Sequence, residues 1–125
     1  MYLYKNVRVI LENEIKELEV LTRGEKIVEI AEKIDCPSAE IIDGNGRFLS
    51  AGFIDLHVHG GGGFSAMGTK DDILNMARAH AKYGTTSILP TALAAPLSQL
   101  SEVCANTRLA MSENRNILGS HLEGP

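Results

Sequence analysis

Hydrophobic residues in the first fifty positions recur at every second place. Val7, Val9 and Leu11 alternate with Arg8, Ile10 and Glu12, and Ile15, Leu18, Val20 and Leu21 follow in a charged background. Period-two alternation with β-branched residues predicts strands, and outweighs the helix that residues 10–15 would also permit. Arg23-Gly24-Glu25 reads as a turn before a strand over 26–30, and Asp35-Cys36-Pro37-Ser38 as a loop. Residues 40–43 and 47–49 flank Gly44-Asn45-Gly46, a hairpin signal, because Asn and Gly suit left-handed turn positions. Residues 1–50 are therefore expected to form a small antiparallel β unit.

The pattern changes near residue 51. Gly52-Phe53-Ile54-Asp55-Leu56-His57-Val58-His59 reads as a buried strand that runs into four glycines, Gly60 to Gly63. A helix is predicted over 71–83. Thr69 is its N-cap with Asp72 three residues on, and Ile73, Met76, Ala77, His80 and Ala81 share one face. Gly84 suits its C-terminal end. A strand over 85–89 closes at Pro90. Pro96 opens a second helix to about Met111, with Leu97, Leu100, Val103, Cys104 and Thr107 along one side. A third strand is expected over 116–123. Strand, helix, strand, helix, strand is the order of parallel βαβ units with right-handed crossovers. The 75 residues from 51 to 125 fall far short of the ~250 of an eight-stranded barrel, so the expectation is the N-terminal part of a larger protein.

Composition narrows the function. Of 125 residues, 44% are hydrophobic and 22% charged, which supplies one core and excludes wholesale disorder. The net charge of −4 gives no basic excess for nucleic acid or an anionic membrane surface. No apolar run approaches the ~18 residues of a membrane span, and the first residues lack a secretory-signal pattern. Cys36 and Cys104 stand 68 positions apart without a pairing pattern. They fit a reduced, cytoplasmic setting as buried small apolar residues.

Alternation along a strand sends Asp55, His57 and His59 to one face. Two imidazoles two residues apart, at the carboxyl end of a parallel strand, can reach one metal ion where such sheets place their sites. Taken alone, His-x-His more often just ends a strand; the apolar strand and the glycine loop beside it favour metal. Imidazole suits zinc, iron or nickel. Asp55, one pleat deeper, could orient an imidazole. Glu123 ends the third strand on a face shared with Ile117, Gly119 and His121, and a carboxylate is the natural addition to an imidazole pair. A solvated strand end is an equally simple reading of His121 and Glu123.

Other motifs carry less. His121-Leu122-Glu123 matches half of the nucleobase deaminase signature, but no Cys-x-x-Cys follows. The four glycines are neither a dinucleotide fingerprint nor a phosphate loop, and suit a sharp turn or a close approach of backbone to substrate. His80 reads as a packing or surface histidine. Ser65, Ser87 and Ser120 sit in no nucleophile elbow. Thr85, Thr86 and Thr91 read as strand formers.

The run Gly52-Phe53-Ile54-Asp55-Leu56-His57-Val58-His59-Gly60 resembles the first barrel strand of the amidohydrolase superfamily of metal-dependent hydrolases. With Gly84-Thr85-Thr86-Ser87-Ile88-Leu89-Pro90-Thr91 and Gly119-Ser120-His121-Leu122-Glu123-Gly124-Pro125, the likeness narrows to the N-acetylglucosamine-6-phosphate deacetylase family. The one visible departure is Ala51, where a proline often precedes Gly-Phe-Ile-Asp. The resemblance implies a (β/α)8 TIM barrel of which residues 51–125 hold the first βα units. Residues 1–50 would be the N-terminal part of a small β-sandwich. It implies metal ligation by His57, His59 and Glu123, with one or two divalent ions, zinc or iron. Asp55 and His121 would lie behind the ligands or against substrate. The remaining histidine ligands and the catalytic aspartate are expected beyond Pro125, so these residues alone should be inactive. The implied substrate is a small amino-sugar phosphate. The implied setting is cytoplasmic, without nucleic-acid or membrane partners, and the family often forms homodimers. A dihydroorotase-like amidohydrolase and a non-catalytic barrel scaffold are the alternatives.

Overall fold

The computed structural model describes residues 1–124, a mixed α/β chain with several sheets and two helices. It divides into two compact units, Met1–Ala51 and a second from Gly52 onward.

In the first unit β1 (Tyr2–Ile10), β2 (Ile15–Arg23), β3 (Lys26–Ala31) and β4 (Glu40–Leu49) make one sheet in the order β3-β2-β1-β4. The alternating stretch becomes strands, and the turn falls at Gly24 as predicted. Two expectations are corrected. β4 runs parallel to β1, so the sheet is mixed, not wholly antiparallel. The hairpin at residues 44–46 does not form, because those residues are a bulge inside one continuous β4. There β1 advances from Lys5 to Val7 while β4 advances from Asp43 to Arg47. The Asp43 carboxylate accepts from the Asn45 backbone N–H at 2.8 Å and from Asn6 Nδ2 at 3.0 Å. Those two donors, Asn45 first, hold the Asp43 carboxyl below the usual carboxylate range. Turns and bulges draw on the same left-handed backbone, here Asn45 at φ 52°, so composition alone does not separate them.

Asn6, at φ 53°, is the extra residue of a second bulge, between the pairs Tyr4↔Val20 and Val7↔Leu18. An extra residue turns the strand over. Leu3 therefore packs with Leu21 and Ile34 on one face, while Val7 and Val9 pack with Val20 on the other. Cys36 is half-buried beside the first of these clusters, and Cys104 in the second unit is half-buried too, so neither is the buried residue expected.

The second unit contains β5 (Phe53–Val58), β6 (Gly60–Gly61), β7 (Phe64–Ser65), α1 (Lys70–Ala81), β8 (Thr85–Ala92), α2 (Leu97–Glu113) and β9 (His121–Leu122). β5, β8 and β9 form a parallel sheet in the order β5-β8-β9. α1 starts as predicted. The Thr69 hydroxyl accepts from the Asp72 N–H, and the Asp72 carboxylate accepts from the Thr69 N–H at 2.8 Å. Its buried side holds Ile73, Met76 and Ala77, with Leu74 added. α2 buries Leu100, Val103, Thr107 and Ala110. Leu97, expected on that side, is 76% exposed, because as the first helical residue it precedes the turn that meets the core. Ile73, Met76, Ala77, Ile88, Ala110 and Ile117 are among the residues of the unit's main core.

β8 passes through Pro90, where the sequence predicted its end, and stops at Ala92. Ile88 bonds residues 116 and 118 with its own N–H and carbonyl, so Pro90, two residues on, faces the same neighbour. That neighbour is unpaired at Gly119 and Ser120, and the missing proline donor falls in the gap. The same gap shortens the expected third strand to β9 and a bridge between Ile88 and Ile117. The four glycines form a small hairpin in which Gly60 pairs with Ser65 and Gly61 with Phe64. Its two turn residues, Gly62 and Gly63, have φ 62° and 88°, as a two-residue hairpin turn requires. Phe53, Ile54 and Leu56, expected buried, are 61%, 64% and 58% exposed. β5 is an edge strand, and of its apolar residues Val58 is the one that packs on the core. Among the described residues no helix is long and apolar enough to cross a membrane.

Candidate metal centre

The carboxyl ends of β5 and β9 bring three of the predicted residues together. One ligand-capable atom each from His57, His59 and Glu123 lies within 4.8 Å of the others. His57 Nε2 is 3.2 Å from His59 Nε2, and Glu123 Oε2 is 3.5 Å from the same His59 atom. His59 is half-buried, and His57 and Glu123 are exposed. Glu123 follows β9 and is held in place by its backbone N–H, which donates to Ala92 O at 3.2 Å.

The backbone also sets the chemistry of His59. Its Nδ1 is 3.1 Å from the Thr91 carbonyl, which can only accept. Nδ1 therefore carries the proton, and in the neutral ring Nε2 presents a lone pair. That lone pair faces a carboxylate oxygen and a second imidazole nitrogen. The 3.2 Å between the two Nε2 atoms suits a shared proton and, once His57 carries its own proton on Nδ1, equally suits a cation held by all three donors. The donor set therefore fits a divalent ion, with two imidazoles and a carboxylate as ligands and a backbone carbonyl fixing one tautomer.

Asp55 and His121 take other places. Asp55 Oδ1 accepts from the His57 backbone N–H at 3.2 Å, so it braces the main chain of a candidate ligand rather than an imidazole. His121 Nδ1 donates to Leu56 O at 2.8 Å, and its ring centroid lies 4.6 Å from that of His57. The face expected for Ile117, Gly119, His121 and Glu123 is broken by the gap at Gly119, yet Glu123 still reaches His59. His80 Nε2 donates to Gly60 O at 3.1 Å and ties α1 to the glycine hairpin. A Cβ on Gly61 would run into the same imidazole.

Thr91 is the residue that sequence reasoning passed over. It is fully buried. β5 advances three residues, from Asp55 to Val58, while β8 advances two, from Ile88 to Pro90. At that slip Thr91 Oγ1 accepts from the Val58 N–H at 2.9 Å and donates to Leu89 O at 3.1 Å. The available signal was one hydroxyl in a strand tip otherwise made of Ile88, Leu89, Pro90 and Ala92.

No protein-family model matches the chain. Its homologues are hydrolases of the amidohydrolase superfamily, a generally metal-dependent class. More narrowly, homologues and structural neighbours are N-acetylglucosamine-6-phosphate deacetylases, which the chain matches over a short N-terminal portion. It is 32% identical over 114 residues to N-acetylglucosamine-6-phosphate deacetylase of Lysinibacillus sphaericus, covering 88% of this chain and 30% of that one. The crystal structure of the Pasteurella multocida deacetylase superposes with a TM-score of 0.79 at 27% identity, over 97% of this chain and 33% of the other. A dihydroorotase of Fusobacterium nucleatum is 38% identical over 88 residues, 70% of this chain and 20% of that protein. The chain thus spans about a third or less of the length of each.

Proposed function

We propose that the complete protein hydrolyses the acetamide of N-acetylglucosamine 6-phosphate to glucosamine 6-phosphate and acetate. The observation that carries this reading is the convergence of His57, His59 and Glu123, in a chain whose deacetylase likeness extends over most of its length. In this reading the unit from Gly52 onward supplies the first βα units of a (β/α)8 barrel. Residues 1–50 supply part of a small β-sandwich, and the enzyme works in the cytoplasm, with a homodimer as its assembly.

His57 Nε2, His59 Nε2 and Glu123 would hold one or two divalent ions, zinc or iron. A bound ion supplies Lewis-acid polarisation of the acyl oxygen and makes water more acidic. The Thr91 carbonyl keeps the His59 lone pair directed at the site, and Asp55 steadies the His57 backbone. His121, with Nδ1 committed to Leu56, turns Nε2 to substrate. The proton of water has to reach the leaving amine, a transfer that needs a base other than His57, His59 and Glu123. Water adds to the acetyl carbon, the carbon–nitrogen bond breaks, and acetate and free amine leave.

The test is acetate release by the full-length protein from N-acetylglucosamine 6-phosphate and from unphosphorylated N-acetylglucosamine. Turnover of the phosphorylated sugar alone is the expected result. The 38% identity to a dihydroorotase favours, as a second reading, hydrolysis of a cyclic amide. Ring opening of dihydroorotate without acetate release would establish it in place of the first.

A further inference from the structure

We infer that Thr91 is a positioning residue: its hydroxyl is inserted into the β5–β8 ladder and sets the spacing at which His57 and His59 converge. In a regular parallel ladder the Val58 N–H would bond a β8 carbonyl directly. Here the hydroxyl stands between the two, accepting from Val58 N at 2.9 Å and donating to Leu89 O at 3.1 Å. One side-chain oxygen thus satisfies both backbone groups and holds the strands apart at this rung. The rung carries Val58, the residue between the two histidines. The carbonyl of the same Thr91 holds His59 Nδ1 at 3.1 Å. One buried residue therefore fixes the strand separation through its side chain and the tautomer of a histidine through its main chain.

A hydroxyl is needed for the first task. Serine keeps it. Valine matches the shape of threonine but leaves the Val58 N–H and the Leu89 carbonyl without their partner, and the strand end must close or splay to recover one. Either movement carries the Thr91 carbonyl away from His59 and lets its ring sample both tautomers.

The inference rests on the metal-centre reading for its purpose, but not for its test. Full-length wild type, Thr91→Ser and Thr91→Val are compared without metal at pH 8 and then titrated with zinc. Two metal-free readouts are used, hydrogen exchange at the Val58 amide and imidazole nitrogen NMR of His59. Wild type and Thr91→Ser should show a protected Val58 amide and a single Nδ1-protonated His59. Thr91→Val should lose both and bind zinc about 10- to 100-fold more weakly, the usual range for an outer partner of a ligand. A Thr91→Val variant that keeps the His59 tautomer and the zinc affinity would overturn the assignment. So would a Thr91→Ser variant as impaired as valine, since that would mark a packing role. Failure of wild type to bind zinc would sink the metal centre, leaving the metal-free signatures to judge Thr91.

Discussion

Glu123 contributes a full negative charge to the candidate centre, and a neutral amide of the same shape cannot replace it. Glu123→Gln is expected to weaken metal binding by more than about 100-fold, beyond the ~10- to 100-fold that loss of an outer partner costs. Metal content of the full-length protein after dialysis against a weak chelator measures this, and wild-type stoichiometry would remove Glu123 from the ligand set. At this scale the sequence was legible where chemistry and spacing coincide. His57 and His59 stand two apart at a strand end, and their Nε2 atoms meet at 3.2 Å. It was less legible where a role passes through the main chain. Asp55 braces a backbone N–H and Thr91 works partly through its carbonyl, and neither role leaves a mark on residue type. His121 shows the same limit, since its partner is the Leu56 carbonyl, 65 positions away.

Helix ends were legible because their signals are local. The Thr69–Asp72 capping box was readable from four residues, and Thr69→Ala should cost about 1 kcal/mol in a urea unfolding series. The Thr69 hydroxyl, and then its N–H, hold the Asp72 carboxyl below the ordinary 3.8. A lowered folded value gives stability that is fully present above 3.8 and is lost as pH falls through the folded value. The gap in stability between wild type and Thr69→Ala should therefore narrow on acidification below 3.8, and a constant gap would separate the cap from that carboxylate. Within α2, Thr107 is buried, and among the described residues its hydroxyl has no hydrogen-bond partner. Thr107→Val keeps the shape and removes an unsatisfied group, so thermal unfolding should show a gain of up to about 1 kcal/mol. Strand boundaries were less legible. Pro90 reads as a stop because proline lacks a donor, and only the neighbouring chain reveals that no donor is needed there. Residues 116–123 carry a strand-like pattern, but the interruption at Gly119 and Ser120 leaves two of them in β9.

For the molecule as a whole, the switch from alternating to helical periodicity was enough to expect a parallel βαβ arrangement from Gly52 onward, as found. Orientation in the first unit was not readable, because strands bury their faces the same way whether they run parallel or antiparallel. A ligand that binds only the folded state stabilises it by mass action. Zinc at about 100 times its dissociation constant should add about 2.7 kcal/mol to the unfolding free energy of the full-length protein, and a chelator should reverse it. An unfolding midpoint indifferent to both would count against a metal centre. The Asn6 bulge has a different kind of consequence. β1 behaves like a text with a reading frame: Leu3 is read in one frame, Val7 and Val9 in the other, and Asn6 is the inserted letter that moves between them. Asn6→Gly keeps the frame and should be tolerated. Deletion of Asn6 removes the bulge and leaves Leu3 and Val9 five positions apart, which in a regular strand still sends them to opposite sides, so cooperative unfolding of this sheet by circular dichroism should survive. Insertion of one more residue beside Asn6 should abolish it, although no core atom is removed.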